Sequence, residues 1–170
     1  MSVTPRQTVP DIDLELAGGG RFVLSEQKAS AFTMIVVYRG LHCPICKSYL
    51  SDLNRRIEEF GELGVRAIAV TSDSAERAEK AKNDWKLDKL DIACNMLIDA
   101  GREWGLYVSR GISDQEPAEF LEPGLFLVSP DRSLYAGSVQ TMPFARPGFG
   151  ELAGAIKYIT EKNYPARGEA

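Results

Sequence analysis

Cysteine and histidine are scarce in this chain, with three of the first and one of the second among 170 residues. Three cysteines are too few for a secreted disulfide scaffold, and a four-ligand zinc site would have to use all three together with the one histidine. No apolar run approaches the ~20 residues needed to span a bilayer. The opening Met1 to Arg6 lacks the basic start and apolar stretch of a secretory leader. Charge of one sign is lacking as well, since 20 Lys and Arg against 24 Asp and Glu leave a net of -4, intermixed along the chain. Neither nucleic acid nor an anionic membrane surface is implied as a partner. Repeats, low-complexity stretches and linkers are also missing. The expectation is a single domain over residues 1–170 in a reducing, cytoplasmic setting, with hydrophobic content of 44% for a sizeable core.

What is present alternates between strand and helix patterns. Asp11 to Leu16 alternates polar and apolar residues, and Ala17-Gly18-Gly19-Gly20 turns it into Arg21 to Leu24, which predicts a hairpin. Ala31 to Tyr38 is almost continuously apolar and β-branched, as a strand covered on both faces requires. Leu50, Leu53, Ile57 and Phe60 then recur at helical spacing, predicting a helix from Cys43 to about Gly61. Val65 to Val70 reads as a second buried strand, and Ser74 as the cap of a helix from Ala75 to Trp85. Asn95 to Ile98 reads as a short strand before a helical turn at Ala100 to Trp104. Leu125 to Val128 and Ser133 to Val139 flank a turn at Pro130-Asp131-Arg132, and Gly150 to Thr160 is apolar at helical spacing. The fold class expected is α/β: a mixed central sheet, helices on both faces and an N-terminal hairpin.

In such sheets chemistry collects beyond the carboxyl ends of the strands. Here that place holds Arg39-Gly40-Leu41-His42-Cys43-Pro44-Ile45-Cys46. A helix N-terminus offers unpaired N–H groups and partial positive charge, both of which favour a thiolate. Pro44 suits the first turn because its missing N–H has no partner to lose there. Cys46 lies one turn on, within reach of a disulfide to Cys43. Cys43 is therefore read as the attacking thiolate and Cys46 as the resolving thiol. Arg39 and His42 are candidate cations for lowering the Cys43 pKa, although Arg39 could pair only with an acid and His42 could face solvent. A lone C-x-x-C also forms half of many zinc sites, but only Cys94 and His42 remain as further ligands and His42 adjoins Cys43. No metal or organic cofactor is implied. Cys94 reads as a core thiol, and Trp85 and Trp104 as core aromatics.

From about Pro10 to Thr160 the chain resembles the alkyl hydroperoxide reductase/thiol-specific antioxidant (AhpC/TSA) superfamily, the peroxiredoxin-like proteins of thioredoxin fold. The resemblance rests on Val9-Pro10-Asp11-Ile12 with Gly20 and Val23-Leu24-Ser25, the strand leading into Cys43, Ala69-Val70-Thr71-Ser72-Asp73, and Leu97-Ile98-Asp99. It implies a thiol-dependent oxidoreductase. Peroxidases of the family carry P-x-x-x-T-x-x-C, where this chain has Val36 and Gly40 in place of Pro and Thr. Their second active-site element is an Arg before a Gly-Leu-Phe strand, where Glu122-Pro123-Gly124-Leu125-Phe126 has Pro123. Pro123 resembles instead the cis-proline that thioredoxin-like reductases set against their dithiol. The resemblance thus implies a disulfide reductase whose Pro123 positions substrate, acting on a protein or small-molecule disulfide and recharged by an unidentified thiol donor. A thiol peroxidase acting on peroxide and a non-catalytic redox sensor are the alternatives. A homodimer is compatible with each.

Overall fold

The computed structural model describes residues 2–170. Its centre is a five-stranded sheet of order β5-β4-β3-β8-β9. Strands β3 (Phe32–Val37), β4 (Val65–Val70) and β5 (Ile92–Ala93) run parallel, while β8 (Gly124–Val128) and β9 (Leu134–Val139) add antiparallel on the other side. Two-stranded ribbons flank it: β1 (Asp13–Glu15) with β2 (Arg21–Val23), and β6 (Val108–Arg110) with β7 (Glu119–Leu121). The fold is the thioredoxin-like mixed α/β arrangement with an N-terminal hairpin.

All six residues of β3 are buried, because both faces of the sheet are covered. Phe32, Met34 and Val36 join the core beneath helices α1 (Pro44–Arg55), α2 (Ile57–Glu62), α3 (Ala75–Asp84) and α5 (Phe149–Lys162). Ile35 and Val37 point the other way, toward Phe22, Leu24, Trp104 and the short helix α4 (Ile98–Glu103). This alternation across one strand is the period of two expected of a pleat with two apolar faces. Trp85 and Trp104 are both core residues, as their spacing predicts.

Two local readings need correction, and one element was not foreseen. The long first helix is divided at Arg56, whose φ of -104° and ψ of 4° leave the helical region, so α1 ends at Arg55 and α2 starts at Ile57. Asn95 to Ile98 is no strand. Asn95 is left-handed (φ 59°), the N–H groups of Asn95 and Met96 donate to the carbonyls of Asp73 and Thr71, and Ile98 already begins α4. The chain thereby folds over the end of β4, and the strand of this region is Ile92–Ala93 instead. The β6–β7 ribbon has no counterpart in the sequence reading, since three-residue strands on either side of a polar loop carry too short a pattern.

One buried polar side chain ties α1 to the approach to β5. Asn54 accepts from the backbone N–H of Lys89 and Leu90, each at 2.9 Å, and donates to Asp88 at 2.9 Å. Replacing it with Ala strands two backbone donors in a buried place, a cost of about 2–4 kcal/mol by the usual price of unmet hydrogen bonds. Urea unfolding of Asn54→Ala is expected to show that loss as a lower midpoint with an unchanged slope.

Candidate functional site

The register of the sheet brings three distant segments to one rim. Val37, the last residue of β3, lies opposite Gly124, which in turn lies opposite Val139 at the end of β9. The segment 38–46, the residues before β8 and the β9–α5 connection therefore meet where α1 starts.

Cys43 is the N-cap of α1, with extended backbone (φ -105°, ψ 103°) and Pro44 next to it in the first turn. Its Sγ accepts the backbone N–H of Cys46 at 3.2 Å. The sulfur thus does the work that a Ser or Asp oxygen does in most helices, on one of the donors that a helix start leaves unpaired. Both thiols are free and deeply buried, Cys43 at 1% exposure and Cys46 at 0%. Arg146, from the β9–α5 connection, reaches them both, with Nη2 3.2 Å from Cys46 Sγ and 3.7 Å from Cys43 Sγ. Its guanidinium lies over the Tyr49 ring, 5.2 Å from the centroid, and its Nε donates to the Pro143 carbonyl at 3.0 Å. The Tyr49 hydroxyl fastens the same connection by donating to the Pro147 carbonyl at 2.6 Å.

These contacts split the two thiols. Hydrogen bonding from the Cys46 side chain, then the Cys46 N–H and the charges of Arg146 and Arg39, outweigh burial and lower the Cys43 pKa from 9.0 to about 5. Burial, reinforced by the adjacent Cys43 sulfur, pushes Cys46 well above the ordinary thiol range. The site therefore holds a thiolate and a thiol side by side at neutral pH.

Arg39 pairs with the buried Glu122 at 3.1 Å and lies over Phe120, 5.0 Å from the ring centroid. Glu122 also accepts from the Ser109 hydroxyl at 2.6 Å. Arg39 thus pairs with an acid and favours the thiolate as well. His42 packs against the same Phe120 ring, 4.6 Å between centroids, and burial lowers its pKa from 6.5. Burial thus works against its serving as a cation beside Cys43. Cys94 is fully buried at the end of β5, its Sγ 3.5 Å from the Glu15 carbonyl, and burial raises its pKa.

The expectation of a cis peptide at Pro123 is overturned, because the described chain contains no cis bond. Gly124 continues β8 directly after Pro123, and the Pro123 carbonyl accepts Gln140 N–H at 3.2 Å, so an extended trans chain already delivers this rim to its neighbours. Pro123 lines a narrow cleft of about 10 Å³ together with Tyr49, Leu125 and Arg146.

Gly40 stands where the resemblance leads one to look for Thr, and the reason is steric. Its φ of 144° suits glycine, and a Cβ there would come within 2.8 Å of the Asp73 carboxylate. Asp73 is occupied in holding this turn: it accepts Leu41 N–H at 2.8 Å and Arg77 Nε at 3.0 Å. Arg146, Asp73, Glu122 and Phe120 all escaped the sequence reading as site residues. A single Arg between Pro143 and Pro147 in an otherwise apolar stretch was the only signal for the first of them.

A mixed sheet with a C-x-x-C pair at the start of the helix after its central strand defines a thioredoxin-like thiol-redox protein. The sequence matches the AhpC/TSA family over residues 5–136, and the chain belongs to that family of peroxiredoxin-like, thiol-dependent oxidoreductases. The match stops before Arg146. No curated protein matches the sequence significantly. Among solved structures, the fold is shared with peroxiredoxin 6 of Arenicola marina (TM-score 0.81, 14% identity, 95% of this chain and 76% of that one). It is shared also with peroxidoxin BcpB of Mycobacterium tuberculosis (TM-score 0.74, 15% identity, 92% and 98%). A third is the mitochondrial 2-Cys peroxiredoxin of Plasmodium falciparum (TM-score 0.75, 15% identity, 94% and 95%). Among the described residues no three His, Cys, Asp or Glu side chains group to hold a metal, and no helix is long and apolar enough to cross a membrane.

Two measurements follow. The thiolate absorbance at 240 nm, lost in Cys43→Ser, is expected to titrate near pH 5. Because the folded pKa is depressed, the ionised sulfur stabilises the fold fully above the unfolded pKa near 9 and loses that effect as pH falls through about 5. The urea midpoint of the reduced protein relative to Cys43→Ser is thus expected to climb between pH 5 and 9 and to be flat below. Gly40→Thr is expected to cost about 1–3 kcal/mol of stability, by backbone strain and displacement of Asp73, in the same unfolding assay.

Proposed function

We propose that the protein reduces small hydroperoxides through a Cys43–Cys46 dithiol cycle. The observation that carries this reading is the combination of ionisation and enclosure at Cys43, a thiolate with 1% exposure. Attack on a disulfide requires three sulfurs in line, and a protein disulfide brings bulk on both sides of the target atom. A hydroperoxide presents a terminal oxygen with no such bulk. The argument that favoured a disulfide reductase, a cis-proline facing the dithiol, is gone.

In the cycle, a lone pair of the Cys43 thiolate attacks the terminal peroxide oxygen and the O–O bond breaks. The leaving oxygen takes a proton and departs as water or an alcohol, and Cys43 becomes a sulfenic acid. The Cys46 thiol, kept protonated until then by its raised pKa, condenses with that sulfenic acid and water is lost. The resulting disulfide is returned to the dithiol by an external thiol donor, which supplies two electrons and two protons. Arg39 and Arg146 favour the thiolate, Pro44 shapes the turn that keeps the two sulfurs adjacent, and His42 and Pro123 help wall the site.

A second reading, a dithiol-disulfide oxidoreductase, draws support from the C-x-x-C at a helix N-terminus with its split thiol pKa values. Equal amounts of enzyme in hydrogen peroxide consumption and in insulin reduction separate the two. Peroxide turnover dependent on Cys43 and exceeding insulin turnover is expected, with Cys46→Ser accumulating a dimedone-reactive sulfenic acid after one turnover. Faster insulin reduction, with negligible peroxide loss, would establish the second reading instead.

A further inference from the structure

Oxidisable side chains also gather at the opposite pole, where β9 begins and α5 ends. Of the six tyrosines of the chain, Tyr158 in α5 and Tyr164 just after it are 54% and 41% exposed. Their ring centroids lie 6.2 Å apart at an interplanar angle of 49°, the one tyrosine–tyrosine ring pair among the described residues. Asn163 brings them together. Its left-handed backbone (φ 49°) ends α5 and turns the chain back, and the Tyr164 N–H donates to the Ile159 carbonyl at 3.0 Å. Side chains from three segments then hold Tyr164 in place. The Tyr135 hydroxyl donates to its carbonyl at 2.8 Å, Arg167 Nη1 donates to its hydroxyl oxygen at 3.2 Å, and Arg6 grips the Ala166 carbonyl at 2.9 and 3.1 Å. An open cleft of about 400 Å³ gives water and small oxidants access to both rings. The other four tyrosines have no second tyrosine ring beside them: Tyr38 is fully buried, Tyr49 stacks on Phe149, Tyr135 packs on Phe32, and Tyr107 has no aromatic neighbour among the described residues.

We propose that Tyr158 and Tyr164 are an oxidative modification site, joined ring to ring as a dityrosine by one-electron oxidants such as carbonate or nitrogen dioxide radicals. Each phenol gives one electron to an oxidant and one proton to water, and becomes a tyrosyl radical. The two radicals couple at the carbons ortho to their oxygens, which forms one C–C bond. The hydrogens on those two carbons are then lost as the two oxygens regain protons, so that both phenols are restored. The net change is the loss of two electrons and two protons, with two oxidants each reduced by one electron. Arg167 leaves the Tyr164 proton free to depart, because a guanidinium only donates to that oxygen. The last approach of the rings needs only rotamer changes of exposed side chains, which are fast. A pair tethered this closely meets at an effective concentration on the order of millimolar, so at ~10 μM protein a link inside one chain exceeds links between chains by about a hundred-fold. The site lies at the far end of β9 from Cys43, and it rests on neither reading of the dithiol.

Photo-oxidation of the full chain with ruthenium tris-bipyridyl and persulfate, a source of one-electron oxidant, tests this at the same dilution. Dityrosine fluorescence is expected in the monomer band of a denaturing gel, and mass-spectrometric peptide mapping is expected to place the link between Tyr158 and Tyr164. Tyr158→Phe and Tyr164→Phe should each lower the monomer signal by about ten-fold or more, since each removes one member of the only pre-positioned pair. Tyr107→Phe should leave the signal unchanged. Tyr135→Phe, which removes an anchor of Tyr164 and no coupling partner, should lower it less than either. Cys43→Ser should give the same link, because the dithiol takes no part in it. Links found only between chains, a monomer signal that survives Tyr158→Phe, or a link mapped to Tyr107 or Tyr135 in place of Tyr164 would overturn the proposal.

Discussion

The bond from the Cys46 N–H to the Cys43 sulfur sits where the demands of fold and chemistry coincide. A helix that starts against the end of a buried strand leaves first donors that need local partners. Sulfur accepts weakly when protonated and well when ionised, so the helix start itself favours the anion. Pro44 adds to this by removing one donor from the problem and fixing the turn. The second cysteine has the opposite environment one turn deeper, so neighbours three positions apart differ in how readily they ionise.

Around that bond the rim is assembled from elements that pair in space and are remote in sequence. Phe120 forms a shelf for both Arg39 and His42, Glu122 fixes Arg39, and Asp73 occupies the volume that a side chain at Gly40 would need. The chain keeps the family's scaffold, and these side chains surround Cys43 on it.

This explains which parts of the molecule were legible in the sequence. The central strands announced themselves because their apolar runs are long and unbroken, and α1 because a dithiol, a proline and a helical stripe coincide. The division at Arg56 and the turn at Asn95 were hidden, since both are set by tertiary hydrogen bonds that no local pattern records. Cys43 and Cys46 were readable from spacing alone. Arg146 was not, because its place depends on the antiparallel pairing of β8 with β9, and nothing near it in sequence resembles a site. Pro123 misled for a related reason: its position before a strand is shared by chains with either peptide geometry, and the neighbouring strand decides.

The capped sulfur also sets the energy at which this dithiol trades electrons. Whatever favours the thiolate favours the reduced pair over the disulfide, since only the reduced pair has an anion to stabilise. A Cys43 pKa of about 5 in place of 9.0 favours the reduced form at pH 7 by two decades, which corresponds to a reduction potential more positive by on the order of 60 mV. A disulfide between these two sulfurs is in consequence easier to reduce than one between thiols of ordinary pKa.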